Sequence, residues 1–102
     1  MENITSIPQF EQAIDSNPEV LVEFYASWCP HCQHFAPILA QAASELTIPT
    51  IRVEIDQNPE LTGYFQVNDI PTLILFINGE PVARNVGVIT AQQVLEFVQQ
   101  NS

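Results

Sequence analysis

Apolar positions along this chain follow two periods, one near 2 and one near 3.6. Val20-Leu21-Val22-Glu23-Phe24-Tyr25 is an almost unbroken apolar run, as expected of a strand covered on both faces of its sheet. Ile51-Arg52-Val53-Glu54-Ile55 alternates strictly and predicts a second strand. Leu73–Ile77 and Val82–Val86, on either side of Asn78-Gly79, predict a β-hairpin with a type I′ turn. Pro81 restricts its second arm to a sheet edge. The longer period appears in Phe35, Ile38, Leu39, Ala42 and Ala43, the expected buried stripe of a helix reaching about Leu46 and kinked at Pro37. Ser6-Ile7-Pro8-Gln9 reads as a capping box opening a helix to about Ser16, and Asn17-Pro18 as a turn. Asn58-Pro59 starts a short helix to about Phe65, and Thr90-Ala91-Gln92-Gln93 caps a last helix with the stripe Val94, Leu95, Val98. A short strand around Asn3–Thr5 is compatible with the pattern. The order predicts an α/β sandwich: a central mixed β-sheet of four to five strands, parallel pairs first and an antiparallel pair last, flanked by about four helices.

With 102 residues and 46% apolar content, the chain is expected to form one domain, 1–102, around a single core. No repeat, low-complexity tract or linker divides it. Twelve acidic residues face two arginines, Arg52 and Arg84, for a formal charge of −10. Without a cluster of cations to displace counterions, nucleic acid is excluded as a partner, and an anionic membrane surface is disfavoured for the same reason. A charge-steered partner would present a basic patch. The first fifteen residues hold no Lys or Arg, so a basic signal-peptide region is absent, and the apolar runs are too short to span a bilayer. A soluble, cytoplasmic protein is the expectation.

Trp28-Cys29-Pro30-His31-Cys32 carries the candidate chemistry and contains both cysteines. A disulfide closing so small a ring removes little chain entropy, so a structural staple is a poor explanation for the pair. A strand ending at Tyr25 and a helix starting near Cys29 place the pair at a helix N-terminus. Residues three apart on a helix have Cβ atoms ~5–6 Å apart, near the separation a disulfide needs. Cys29 would meet the positive end of the helix dipole and first-turn N–H groups, and Pro30 at the first helical position sacrifices no donor. Cys32, one turn in, should be less exposed. These placements assign Cys29 as the nucleophile that attacks a disulfide and Cys32 as the resolving thiol. His31, which can be a cation near neutral pH, would favour the thiolate and make the Cys29–Cys32 disulfide a stronger oxidant.

Metal binding is the competing reading, since Cys29, His31, Cys32 and His34 lie within six residues. Ligands at such spacing on one helical turn cannot converge tetrahedrally, so no metal is expected. Glu23 is a misfit in an apolar strand. It reads either as a buried acid with a raised pKa that exchanges a proton with Cys32, or as a strand-end carboxylate that reaches water. Arg52 is its natural counter-charge or a plain surface residue.

Several segments, in this order and spacing, resemble the thioredoxin family over nearly the whole chain: Phe24-Tyr25-Ala26-x-Trp28-Cys29-x-x-Cys32, Ala36-Pro37, Ile55-Asp56-Gln57-Asn58-Pro59, Ile70-Pro71-Thr72, Phe76-x-Asn78-Gly79 and Val86-Gly87. The resemblance implies a thioredoxin fold and a cis Pro71 facing the disulfide, where the sequence alone gives only a turn before a strand. It further implies an apolar groove formed by Trp28, Pro30, Ile70, Pro71, Val86 and Gly87, with the Ile70 backbone pairing with an extended substrate segment. The implied activity is thiol–disulfide exchange without a bound cofactor, by a monomer, on disulfides or dithiols of other proteins, with a thioredoxin reductase as candidate electron donor. Net reduction is the expected direction in a cytoplasmic setting. A disulfide oxidant or isomerase, or a redox-inert binding module, are the alternatives. The chain departs from the family in three ways. Pro30-His31 replaces the usual Gly-Pro and matches bacterial periplasmic disulfide oxidants, whose inserted helical domain has no room here. Glu23 stands where thioredoxins place a buried Asp and protein disulfide isomerase domains a Glu. Lysine is missing altogether.

Overall fold

A computed structural model describes residues 1–102. Its elements are β1 (Glu2–Ile4), α1 (Ile7–Asp15), β2 (Glu19–Tyr25), α2 (Pro30–Glu45), β3 (Thr50–Glu54), α3 (Pro59–Tyr64), β4 (Thr72–Ile77), β5 (Glu80–Val86) and α4 (Ala91–Asn101). They form one five-stranded sheet in the order β1-β3-β2-β4-β5. β1 and β2 each pair with β3 in parallel, while β4 runs antiparallel to β2 and β5 antiparallel to β4. The expected mixed sheet is present with all five strands.

Side chains alternate across a strand, so β2, central and covered on both faces, splits its apolar residues between two cores. Val20, Val22 and Phe24 join Phe10 and Ile14 of α1 and Leu61 of α3. Leu21 joins Phe35, Leu39 and Ala42 of α2 and Val94 and Val98 of α4. β4 divides likewise, with Ile74 and Phe76 in the first core and Leu73 in the second. Glu23, two residues after Leu21, therefore faces the α2–α4 layer, and it is fully buried there.

Local chemistry sets the element ends. Thr90 and Gln93 form the reciprocal capping box of α4. At α1 only half of the expected box closes on Ser6: its Oγ accepts from the Gln9 N–H, but Gln9 Oε1 takes the Thr5 N–H at 2.7 Å instead of returning to Ser6. Asn58 precedes α3 without capping it, because its buried amide donates to the carbonyls of Ile4 and Glu54 and ties β1 to the end of β3. Asn78 and Gly79, at φ of 51° and 81°, supply the two positive angles that a type I′ turn demands. Pro81 lies in edge strand β5, where the pairing with β4 shifts register. α2 continues through Pro37, with Phe35, Leu39 and Ala42 buried and Ile38 and Ala43 half-buried. No helix is long and apolar enough to cross a membrane.

Leu39 is the link between α2, α4 and the sheet. Leu39→Ala is expected to lower the unfolding free energy by about 2–5 kcal/mol in urea titrations, and a loss below about 1 kcal/mol would contradict this packing.

Candidate active site

β2 ends at Tyr25 and the chain turns through Ala26, Ser27 and Trp28 into α2, so the cysteines sit directly beyond the central strand. Cys29 is the N-cap residue of α2, with extended backbone angles and Pro30 following at the first helical position. Its sulfur does what a Ser or Asp oxygen does at an ordinary cap: it accepts the Cys32 N–H at 3.2 Å. The positive end of the helix thus meets the atom expected to attack. Both cysteines are buried, Cys29 retaining 5% of its surface and Cys32 only 1%, in the expected order. They cluster with Ala26, and Tyr25, Ile55 and Ile70 pack against them.

The Ile70–Pro71 peptide is cis. The Gly87 N–H donates to the Pro71 carbonyl at 2.8 Å and Thr72 is paired with Val86, which draws Ile70, Pro71, Val86 and Gly87 together. Trp28 and Val86 are 62% and 55% exposed, unusually open for large apolar side chains. Pro30, His31 and His34 are exposed on the first turns of α2. No three His, Cys, Asp or Glu side chains are grouped as they would be to hold a metal ion.

Beneath the helix, Glu23 faces Arg52 directly across the β2–β3 pairing. Arg52 Nε donates to Glu23 Oε1 at 2.7 Å, so the counter-charge reading of Arg52 holds. Its guanidinium lies 3.7 Å from the centre of the Tyr25 ring, a cation–π contact that fixes the side chain. Glu23 Oε2 is buried with no hydrogen-bond partner. Burial pushes the Glu23 pKa up, and the hydrogen bond and charge of Arg52 only partly oppose it. The Cys32 thiol is pushed up to about 12, by burial first, then by its hydrogen bond to Cys29, with the charge on Glu23 adding a smaller share. Of the two readings of Glu23, the structure supports the buried acid with a raised pKa over a carboxylate that reaches water.

Two residues of this region have no role in the reading of the sequence. Asp56 accepts the Trp28 indole N–H at 2.7 Å, and Glu54 accepts three backbone N–H groups around it. The alternation of β3 shows Glu54 only as a polar position, and Asp56 stands in a family-like segment that says nothing about its partner.

The family model described as Thioredoxin matches residues 3–100. A thioredoxin-like protein of Synechocystis is 40% identical over 93 residues, covering 88% of this chain and 89% of that protein. A bifunctional thioredoxin reductase/thioredoxin of Mycobacterium leprae is 43% identical over 86 residues, 82% of this chain; the match spans only 19% of the longer protein. Among solved structures, Plasmodium falciparum thioredoxin superposes with a TM-score of 0.92 at 25% identity over the full length of both chains.

An acid that ionises less readily in the fold than in the unfolded chain makes the fold lose stability as pH rises. The loss begins near the unfolded value of ~4.3 and is complete above the raised one. Glu23→Gln removes that titration. Urea unfolding at several pH values should show the stability difference moving in the variant's favour as pH rises from about 4 towards neutral. Parallel curves would contradict a raised Glu23.

Proposed function

The chain belongs to the thioredoxin family of dithiol–disulfide oxidoreductases, and on that footing we propose that it reduces disulfides in other proteins, with Cys29 attacking and Cys32 resolving. The supporting observation is the Cys29 sulfur at the N-cap of α2, receiving the Cys32 N–H at 3.2 Å. The Cys29 thiolate attacks one sulfur of the substrate disulfide and releases the other as a thiol after it takes up a proton. Cys32 then gives its proton to the Glu23 carboxylate and attacks Cys29, leaving the Cys29–Cys32 disulfide. The second substrate sulfur is expelled as a thiolate that takes a proton from solvent, while Glu23 returns its proton to solvent. The substrate gains two electrons and the protein loses two.

A thiol pushed up to about 12 supplies almost no thiolate near neutral pH, so resolution needs a base. Glu23, raised by burial and with Oε2 unpaired, has the properties of that base. In the mixed disulfide Cys29 no longer takes a hydrogen bond as a thiolate, and burial, already the largest cause, is what the base must overcome. The substrate segment docks as an added strand along Ile70, with Trp28, Pro30, Pro71, Val86 and Gly87 lining its groove; the open Trp28 and Val86 surfaces support this.

Electrons return from a thioredoxin reductase, a partnership that the fused M. leprae relative carries within one chain. A cytoplasmic setting suits a reductant, because that compartment keeps thiols reduced. The proposed working form is a monomer of the single domain 1–102.

Insulin reduction by wild type should vanish in Cys29→Ser, while Cys32→Ser should accumulate a mixed disulfide through Cys29. Equal turnover by Cys29→Ser would remove Cys29 from the mechanism, and a partner bound equally well by both proteins, with no turnover by either, would favour the redox-inert module. His31, exposed on the first turn of α2, is read as favouring the reduced form. His31→Pro should therefore shift the glutathione equilibrium so that the protein disulfide is less oxidising, and an unchanged equilibrium removes His31 from the mechanism.

A further inference from the structure

The buried carboxylate of Glu54, only 7% exposed, gathers three backbone donors from two loops. Oε2 accepts the Ser27 N–H at 3.2 Å, from the turn that leads into α2. Oε1 accepts the N–H groups of Asp56 and Gln57, each at 2.9 Å, from the loop between β3 and α3. The same loops meet a second time, where Trp28 Nε1 donates to Asp56 Oδ2 at 2.7 Å. Trp28 is 62% exposed, so packing does little to set its ring. Its orientation depends on the two ends that Glu54 fixes: the backbone at Ser27 and the carboxylate-bearing residue Asp56.

We propose that Glu54 is a positioning residue for substrate docking, clamping the Ser27–Trp28 turn to the β3–α3 loop so that the Trp28 ring keeps a fixed angle beside Cys29. The inference rests on the docking groove of the proposed function. Glu54 bonds to neither cysteine, and the partners of its two oxygens are all loop amides, so its loss acts on binding rather than on the thiols. A carboxylate suits this role because its two oxygens, each with free lone pairs, serve three donors, and the charge strengthens each bond.

In Glu54→Gln one oxygen becomes an NH2 group, which cannot accept from a backbone N–H, so at least one donor loses its partner. Insulin reduction by the variant should show KM raised about tenfold with kcat within about twofold of wild type. The glutathione equilibrium of the Cys29–Cys32 pair should not move, and the emission anisotropy of Trp28, the only tryptophan, should fall. An unchanged KM in a folded variant, or kcat falling in step with the redox equilibrium, would overturn the proposal. Amide hydrogen exchange of wild type tests the clamp even if the variant does not fold. The amides of Ser27, Asp56 and Gln57, all bound by Glu54, should be protected together, and free exchange at any of the three would overturn the proposal. Wild type inactive on insulin overturns the reductase reading and the docking role with it; an active wild type with an unmoved KM in Glu54→Gln overturns the docking role alone.

Discussion

The hydrogen bond from the Cys32 N–H to the Cys29 sulfur joins fold and chemistry in one contact. A helix must satisfy the donors of its first turn, and at α2 the cap is a sulfur instead of an oxygen. The atom that completes the helix is therefore the atom held at its positive end. Everything around it serves that placement. β2, paired on both sides, fixes where the chain leaves the sheet, and Phe35 and Leu39 anchor α2 against the same sheet. Pro30 follows the cap without offering an N–H that would need a partner.

The second cysteine is buried more deeply and gains from none of this. Burial that shields Cys32 also raises its thiol to about 12, and the layer beneath it holds a carboxylate that burial has made more basic. A fully buried acid lowers stability, and the fold offsets that only in part through Arg52, itself held on the Tyr25 ring. One carboxylate oxygen is bound to the guanidinium and the other is left free. Such a half-satisfied group inside a core is a poor structural choice and a reasonable catalytic one.

Much of this was legible in the sequence because it rests on local rules. The unbroken apolar run of β2, the Asn78-Gly79 turn and the Thr90 box carry their own signals, and the structure places each as expected. The cis Pro71 and the convergence of Ile70 with Gly87 came only through family likeness, since nothing in the residues themselves specifies a cis bond. The contact of Glu23 with Arg52 depends on register, Glu23 lying opposite Arg52 across β2 and β3, which periodicity does not determine. The amides bound by Glu54 and the Trp28–Asp56 bond join loops distant in sequence, so no local pattern announces them. At α1 the missed detail was smaller: Gln9 reached Thr5 instead of Ser6, a difference of one residue that rotamer and loop geometry decide.

The two thiols are chemically unlike because one caps a helix and the other lies buried behind it. Brief treatment of the fully reduced protein with iodoacetamide at neutral pH, followed by peptide mapping, probes this difference at the two sulfurs themselves. The label should be found on Cys29, with Cys32 unmodified. Equal labelling of both cysteines, or labelling of Cys32 first, would contradict the division of roles between them.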